Sequence, residues 1–157
     1  MEPNVGLQKD NREKIAKGLS NFLADTFALY LKTLNFHWNV TGPMFRDLHL
    51  TFEEQYNELF TAIDVIAERI TILGYPAPAS FKEFSDLSSI SDAEGVPSAE
   101  LMIKELLKDN ETVIRNARNL MSLASGVKDE ATVGLLTDRI TVHEKVAWFL
   151  RNKLESH

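Results

Sequence analysis

His49 and Glu53 stand four residues apart, and so do Asp64 and Glu68. If one helix carries all four, the 100° step per residue places them within about 100° of arc, a single polar stripe. Left alone, such a stripe is unfavourable. Asp64 sits among Ile63, Val65 and Ile66, where an unpaired carboxylate is costly to bury, and acids at i,i+4 repel by roughly 0.2–0.5 kcal/mol. A bound divalent cation reverses both penalties. The chain contains no cysteine, so the donors are imidazole and carboxylate. That set suits Fe(II), Mn(II) or Zn(II) and leaves positions open to water or an oxidant; iron is the first choice.

Distance decides how the ion is shared. His49 and Asp64 are 15 residues apart, about 22 Å along a helix, so one chain cannot bring both to one ion. If two copies of the helix pack antiparallel about a two-fold axis between Glu58 and Leu59, His49 of one faces Glu68 of the other and Glu53 faces Asp64. The dimer then makes two equivalent sites. His37 precedes the Thr41, Gly42, Pro43 turn and folds back beside His49. The expected set is His37, His49 and Glu53 from one protomer with Asp64 and Glu68 from its partner, and Trp38 lies where it can shield the ion.

The elements that must hold these residues are helical. Ile15, Leu19, Phe22, Leu23, Phe27, Tyr30, Leu31 and Leu34 recur at spacings of three and four, which predicts a first helix ending near His37. Pro43 is expected at the first position of a second helix starting near Met44, whose Phe52, Tyr56, Leu59, Ile63, Ile66 and Ile70 repeat the pattern until Gly74 and Pro76 stop it. Residues 75–97 are rich in Ser, Pro and Gly and long enough to cross the length of a bundle. Within them Ser80 and Glu83 have capping-box spacing, predicting one short helix. A third helix spans about 98–124, with Glu111 and Arg115 as an outer i,i+4 pair, and a fourth about 129–155. Four helices with the long crossover between the second and third form the ferritin-like type of all-α four-helix bundle. The 157 residues read as a single domain with residues 1–14 as a flexible N-terminal tail.

Composition narrows the function. With 17 basic against 23 acidic residues the formal charge is −6, the wrong sign for coating nucleic acid and the right one for gathering cations. No secretory core precedes the first helix and no run of about 18 apolar residues occurs, so a cytoplasmic protein with no membrane contact is expected.

The run HWNVTGPMF at residues 37–45, then LHLTFEEQYNEL, then Asp64 with Ala67, Glu68 and Arg69 resembles the Dps family of miniferritins, over nearly the whole chain. Lys145, Trp148 and Phe149 lie in a similar KxxWF context. The resemblance implies a hollow homododecamer, built from two-fold dimers, that oxidises Fe(II) preferentially with hydrogen peroxide, stores ferric mineral and protects DNA under oxidative stress. By motif it puts ferroxidase ligands on His37, His49, Asp64 and Glu68. Where the family commonly has Asp, this chain has Glu53, which moves the oxygens of a second, weaker metal position. Glu-x-x-His pairs, which mark conventional ferritins, are absent.

Taken singly, His37 is also a C-terminal histidine favoured by the helix dipole, and each acid a solvated helix residue. Joint spacing favours the metal site. His143, on an apolar stripe, is expected to be a hydrogen-bonded core or interface histidine. Asp129, Glu130, Asp138 and Glu144 are the acids that the resemblance offers for a three-fold iron pore, with a solvated face as the equal alternative. Direct DNA binding is the alternative function, that of a nucleoid-associated protein with little ferroxidase activity. The first 17 residues carry Lys9, Arg12, Lys14 and Lys17 against Glu2, Asp10 and Glu13, too small an excess for more than weak binding.

Overall fold

The computed structural model describes residues 1–155. Helices follow in the order α1 (Lys9–Asn39), α2 (Phe45–Ile72), α3 (Phe81–Leu87), α4 (Ala99–Gly126) and α5 (Glu130–Leu154), and no strand occurs among the described residues. The apolar stripes read from the sequence meet in one core. Ile15, Leu19, Phe22 and Phe36 of α1 pack with Leu48, Phe52, Leu59 and Ile66 of α2, with Met102, Leu106 and Val113 of α4, and with Leu136 and Leu150 of α5. The helices pair α1 with α2 and α4 with α5; α1 against α4 joins the pairs, and α3 lies on α1. This is the expected four-helix bundle with a short helix in the crossover. No helix among the described residues is long and apolar enough to cross a membrane.

The helix starts differ in how they are made. Ser80 caps α3: its Oγ accepts from Glu83 N at 3.2 Å and donates to Glu83 Oε1 at 2.9 Å, the capping box that the spacing predicts. Ser98 and Asp129 cap α4 and α5 through Leu101 N and Thr132 N. At the start of α2 no side chain caps. There Gly42, at φ 102°, turns the chain so that Phe45 N reaches Gly42 O at 3.0 Å. Helix α2 therefore begins at Phe45, and Pro43 stands in the preceding turn, not at the first helical position. The outer pair expected between Glu111 and Arg115 does not form either. Glu111 reaches Arg151 of α5 at 3.5 Å, and Arg115 donates to Thr112, because a cross-helix partner is within reach.

Buried charges fasten the long crossover. Asp25 of α1 accepts from Ser88 Oγ, Ser89 N and Ser89 Oγ at one end of it and from Asn116 of α4. Seven residues along α1, buried Lys32 donates to Ser91 O and to Asp109, both at 2.9 Å. The N-terminal segment is fastened as well. Helix α1 takes up residues 9–14, and buried Arg12 donates to Leu73 O at 2.9 Å, to Leu7 O and to Glu2. Gly74, at φ 96°, lets Pro3 and Arg12 approach so closely that a Cβ would lie 3.0 Å from each.

Candidate metal centre

The α1–α2 hairpin brings His37 and His49 face to face. His37 lies in the last turn of α1, where carbonyls lack helical partners, and His49 sits in the second turn of α2. His49 Nδ1–H donates to His37 O at 2.7 Å, and His37 Nδ1–H donates to His49 O at 2.7 Å. The rings stack with centroids 3.8 Å apart at 14°. Since a carbonyl only accepts, Nδ1 of each ring carries the proton when the ring is neutral, and each Nε2 keeps its lone pair. This is how metal-binding imidazoles are ordinarily prepared: one nitrogen is held by a backbone oxygen and the other is left as donor. Phe45 stacks on the His49 ring at 5.1 Å, and Tyr56 meets the His37 ring edge-on at 5.1 Å. The pair is thus held between aromatic side chains, with His37 buried.

The carboxylates are placed otherwise. Glu53, one turn beyond His49, is partly buried, whereas Asp64 and Glu68 are exposed further along the same outward face of α2. Among the described residues, no three His, Asp or Glu side chains gather closely enough to hold a metal ion. The single chain therefore presents two nitrogens at one end of the stripe and two carboxylates at the other. Exposed apolar residues lie along the same surface: Phe60 at 64% between the two ends, Leu50 and Val65 nearby, and Trp38 at 66% beside the histidines. Most of the Trp38 surface is open to solvent within its own chain.

A ferritin-like domain matches residues 16–156. The DNA protection during starvation protein 2 of Bacillus anthracis is 40% identical over 88% of this chain and 95% of its own length. The chain belongs to the Dps family. A low temperature-induced protein of Nostoc sp. is 39% identical to this Dps chain, over 97% of the chain and 86% of the relative. The crystal structure of the Dps protein from Vibrio cholerae O1 superposes with a TM-score of 0.94 at 30% identity, covering 98% of this chain and 97% of that one, and is described as a member of a broad superfamily of ferritin-like diiron-carboxylate proteins.

Several polar residues of this Dps chain have roles that spacing did not reveal. Asp129, one of the acids offered for an iron pore, is buried. It accepts from Arg69 Nη2 at 2.7 Å and caps α5 through Thr132. That corrects its reading as a pore residue, since its charge is already matched. Glu130, Asp138 and Glu144 are exposed, and Glu144 pairs with Arg118 at 3.1 Å. His143 is the hydrogen-bonded core histidine expected of it. Burial first, and the Arg139 charge second, push its pKa down to about 3. Of its two partners, Asn110 lies on another helix and no local pattern pointed to it, whereas Arg139 stands one turn earlier on α5, at a spacing the sequence does show.

Proposed function

We propose that this protein is a ferroxidase and iron store whose sites form between two-fold-related protomers of a shell, a dodecamer by family pattern. His37 and His49 bind Fe(II) from one protomer and Asp64 and Glu68 from its partner; Glu53 serves as a further ligand or handles protons. Hydrogen peroxide is the preferred oxidant. It takes two electrons, one from each of two ferrous ions, its O–O bond breaks, and both oxygens leave at the oxidation level of water. Removing ferrous iron and peroxide together limits hydroxyl-radical formation, which is the means of DNA protection in this reading. The ferric product collects on acidic surface inside the shell.

The observation that carries the reading is the crossed histidine pair. Two free Nε2 donors are prepared at one end of a helix face whose other end exposes two carboxylates, with apolar surface between them. A fold that meant to solvate the stripe has no use for Phe60 and Trp38 in the same surface. Direct attachment to DNA has weaker support. Arg12 is spent on Leu73, Leu7 and Glu2, which takes one cation from an already small excess. A cytoplasmic setting beside the nucleoid fits the reading.

The test is the double variant Asp64→Ala/Glu68→Ala. Ferric absorbance after mixing with Fe(II) and peroxide is expected to rise at least 100-fold more slowly than in the parent, an order of magnitude set by loss of two ligands, while sedimentation shows an intact shell. Unchanged oxidation kinetics would overturn the assignment.

A further inference from the structure

Halfway along the bundle, Glu58 of α2, Arg139 and His143 of α5 and Asn110 of α4 form one hydrogen-bonded line. Arg139 Nη1 donates to Glu58 Oε2 at 2.6 Å and Nη2 donates to Glu58 Oε1 at 2.8 Å. The same Nη2 donates to His143 Nε2 at 3.0 Å. Because a guanidinium cannot accept, the His143 proton is on Nδ1, which donates to Asn110 Oδ1 at 2.8 Å. Asn110 then donates to Leu106 O at 2.7 Å. Arg139 and His143 are both buried.

We propose that the Arg139 guanidinium occupies a latent divalent-metal site and is the residue that keeps metal ions out of the bundle interior. A carboxylate oxygen and an imidazole nitrogen converge within 3.0 Å of one guanidinium nitrogen, so a single cation already holds both. A first-row metal draws such donors to about 2.0–2.2 Å, which asks each to close by less than about 1 Å. His143 is held from behind by Asn110, as metal-bound histidines usually are by an outer hydrogen bond. Beside the line lies a cavity of about 20 Å³ lined by Thr33, Gln55, Glu58, Asn110 and His143 among others, enough for one water with polar partners.

The guanidinium is satisfied at both terminal nitrogens, while its Nε is buried without a partner. Its position serves the two acceptors. A charge fixed there saturates both donors and repels a second cation, and it leaves the surface half-site of His37 and His49 as the place where a metal can bind. Burial keeps the His143 imidazole neutral, so its lone pair is available to whichever cation occupies the position. The occupied position between Glu58 and His143 does not depend on the ferroxidase reading.

Cobalt(II) titration of the full-length protein tests the claim, read by equilibrium dialysis and visible absorption. Arg139→Met, which removes the charge at similar bulk, is expected to bind about one more Co(II) per chain than the parent. The combined Arg139→Met/His143→Ala variant should lose that ion, and Arg139→Lys, which keeps a cation, should match the parent. A folded Arg139→Met with parental stoichiometry overturns the proposal, as does an extra ion that survives loss of His143 or appears equally in Arg139→Lys. If Arg139→Met is unfolded without metal, Co(II) must restore helical circular dichroism at about one equivalent per chain; failure to do so also overturns it. Failure of the surface site is seen separately, because His37→Ala alters the parental stoichiometry and not the difference made by Arg139→Met.

Discussion

Moving from pH 7 to pH 5 should remove about 2 kcal/mol of folding stability through His143 alone. The imidazole is buried and its pKa falls from 6.5 to about 3, while the unfolded chain keeps the ordinary value. A depressed folded pKa means that the unfolded state binds the proton first. The stability held by neutral His143 is therefore complete above pH 6.5, declines as the pH falls, and is exhausted near pH 3. Over that whole window the linked loss is roughly 5 kcal/mol, and by pH 5 it has reached about 2 kcal/mol. His143→Gln supplies the comparison: glutamine can accept from Arg139 and donate to Asn110 but does not titrate. The assay is equilibrium urea unfolding of both proteins at equal protomer concentration, at a series of pH values between 7 and 4. The parent is expected to lose stability faster than the variant, with the gap changing by about 2 kcal/mol between pH 7 and 5. Parallel curves would refute the reasoning, because they would mean that His143 takes a proton in the folded state as easily as in the unfolded one.

Asp129→Ala removes the α5 cap and leaves Arg69 without its partner; a buried pair broken on one side costs about 3–5 kcal/mol, or roughly 10 °C in melting temperature for a chain of this length, and a shift under about 3 °C would show that the Arg69 contact is idle. Asp25→Asn keeps the shape but puts an amide donor where Oδ2 accepts from Asn116 and Ser89 Oγ, so protease cleavage within residues 88–97 is expected to quicken roughly tenfold; unchanged cleavage would mean that other contacts hold the crossover. Phe60→Lys puts a charge in the middle of the exposed face of α2, and sedimentation should show a smaller species if that face joins two protomers. An intact shell would remove the two-fold construction.

The helices were legible because each long element repeats its apolar residues at the helical period, and the bundle leaves those stripes nowhere else to go. The Ser80 and Glu83 box was legible for the same local reason. The polar fastenings were not. Asp25 with Ser89, Lys32 with Asp109, Arg69 with Asp129 and Glu58 with Arg139 join residues 60 to 81 positions apart, and no window of the sequence contains both ends. Nor did spacing reveal that Arg12 is consumed at the end of the bundle. On the site, spacing placed His37 beside His49, and the structure supplies what spacing lacks: each ring is oriented by the other residue's backbone. Within one chain Asp64 and Glu68 do not reach those rings, since the helix keeps them about 22 and 28 Å from His49, and their meeting across a two-fold axis belongs to the proposed construction.

The crossed bonds between His37 and His49 make the hairpin and the imidazole pair one event. A nascent chain in which α1 and α2 have not yet closed has two freely turning imidazoles, with neither tautomer fixed and no stacked partner. In the proposed site, competence to hold iron arrives with the finished turn, and it leaves if the turn opens. Alanine at either position leaves the other ring its backbone acceptor but takes away its stacked partner.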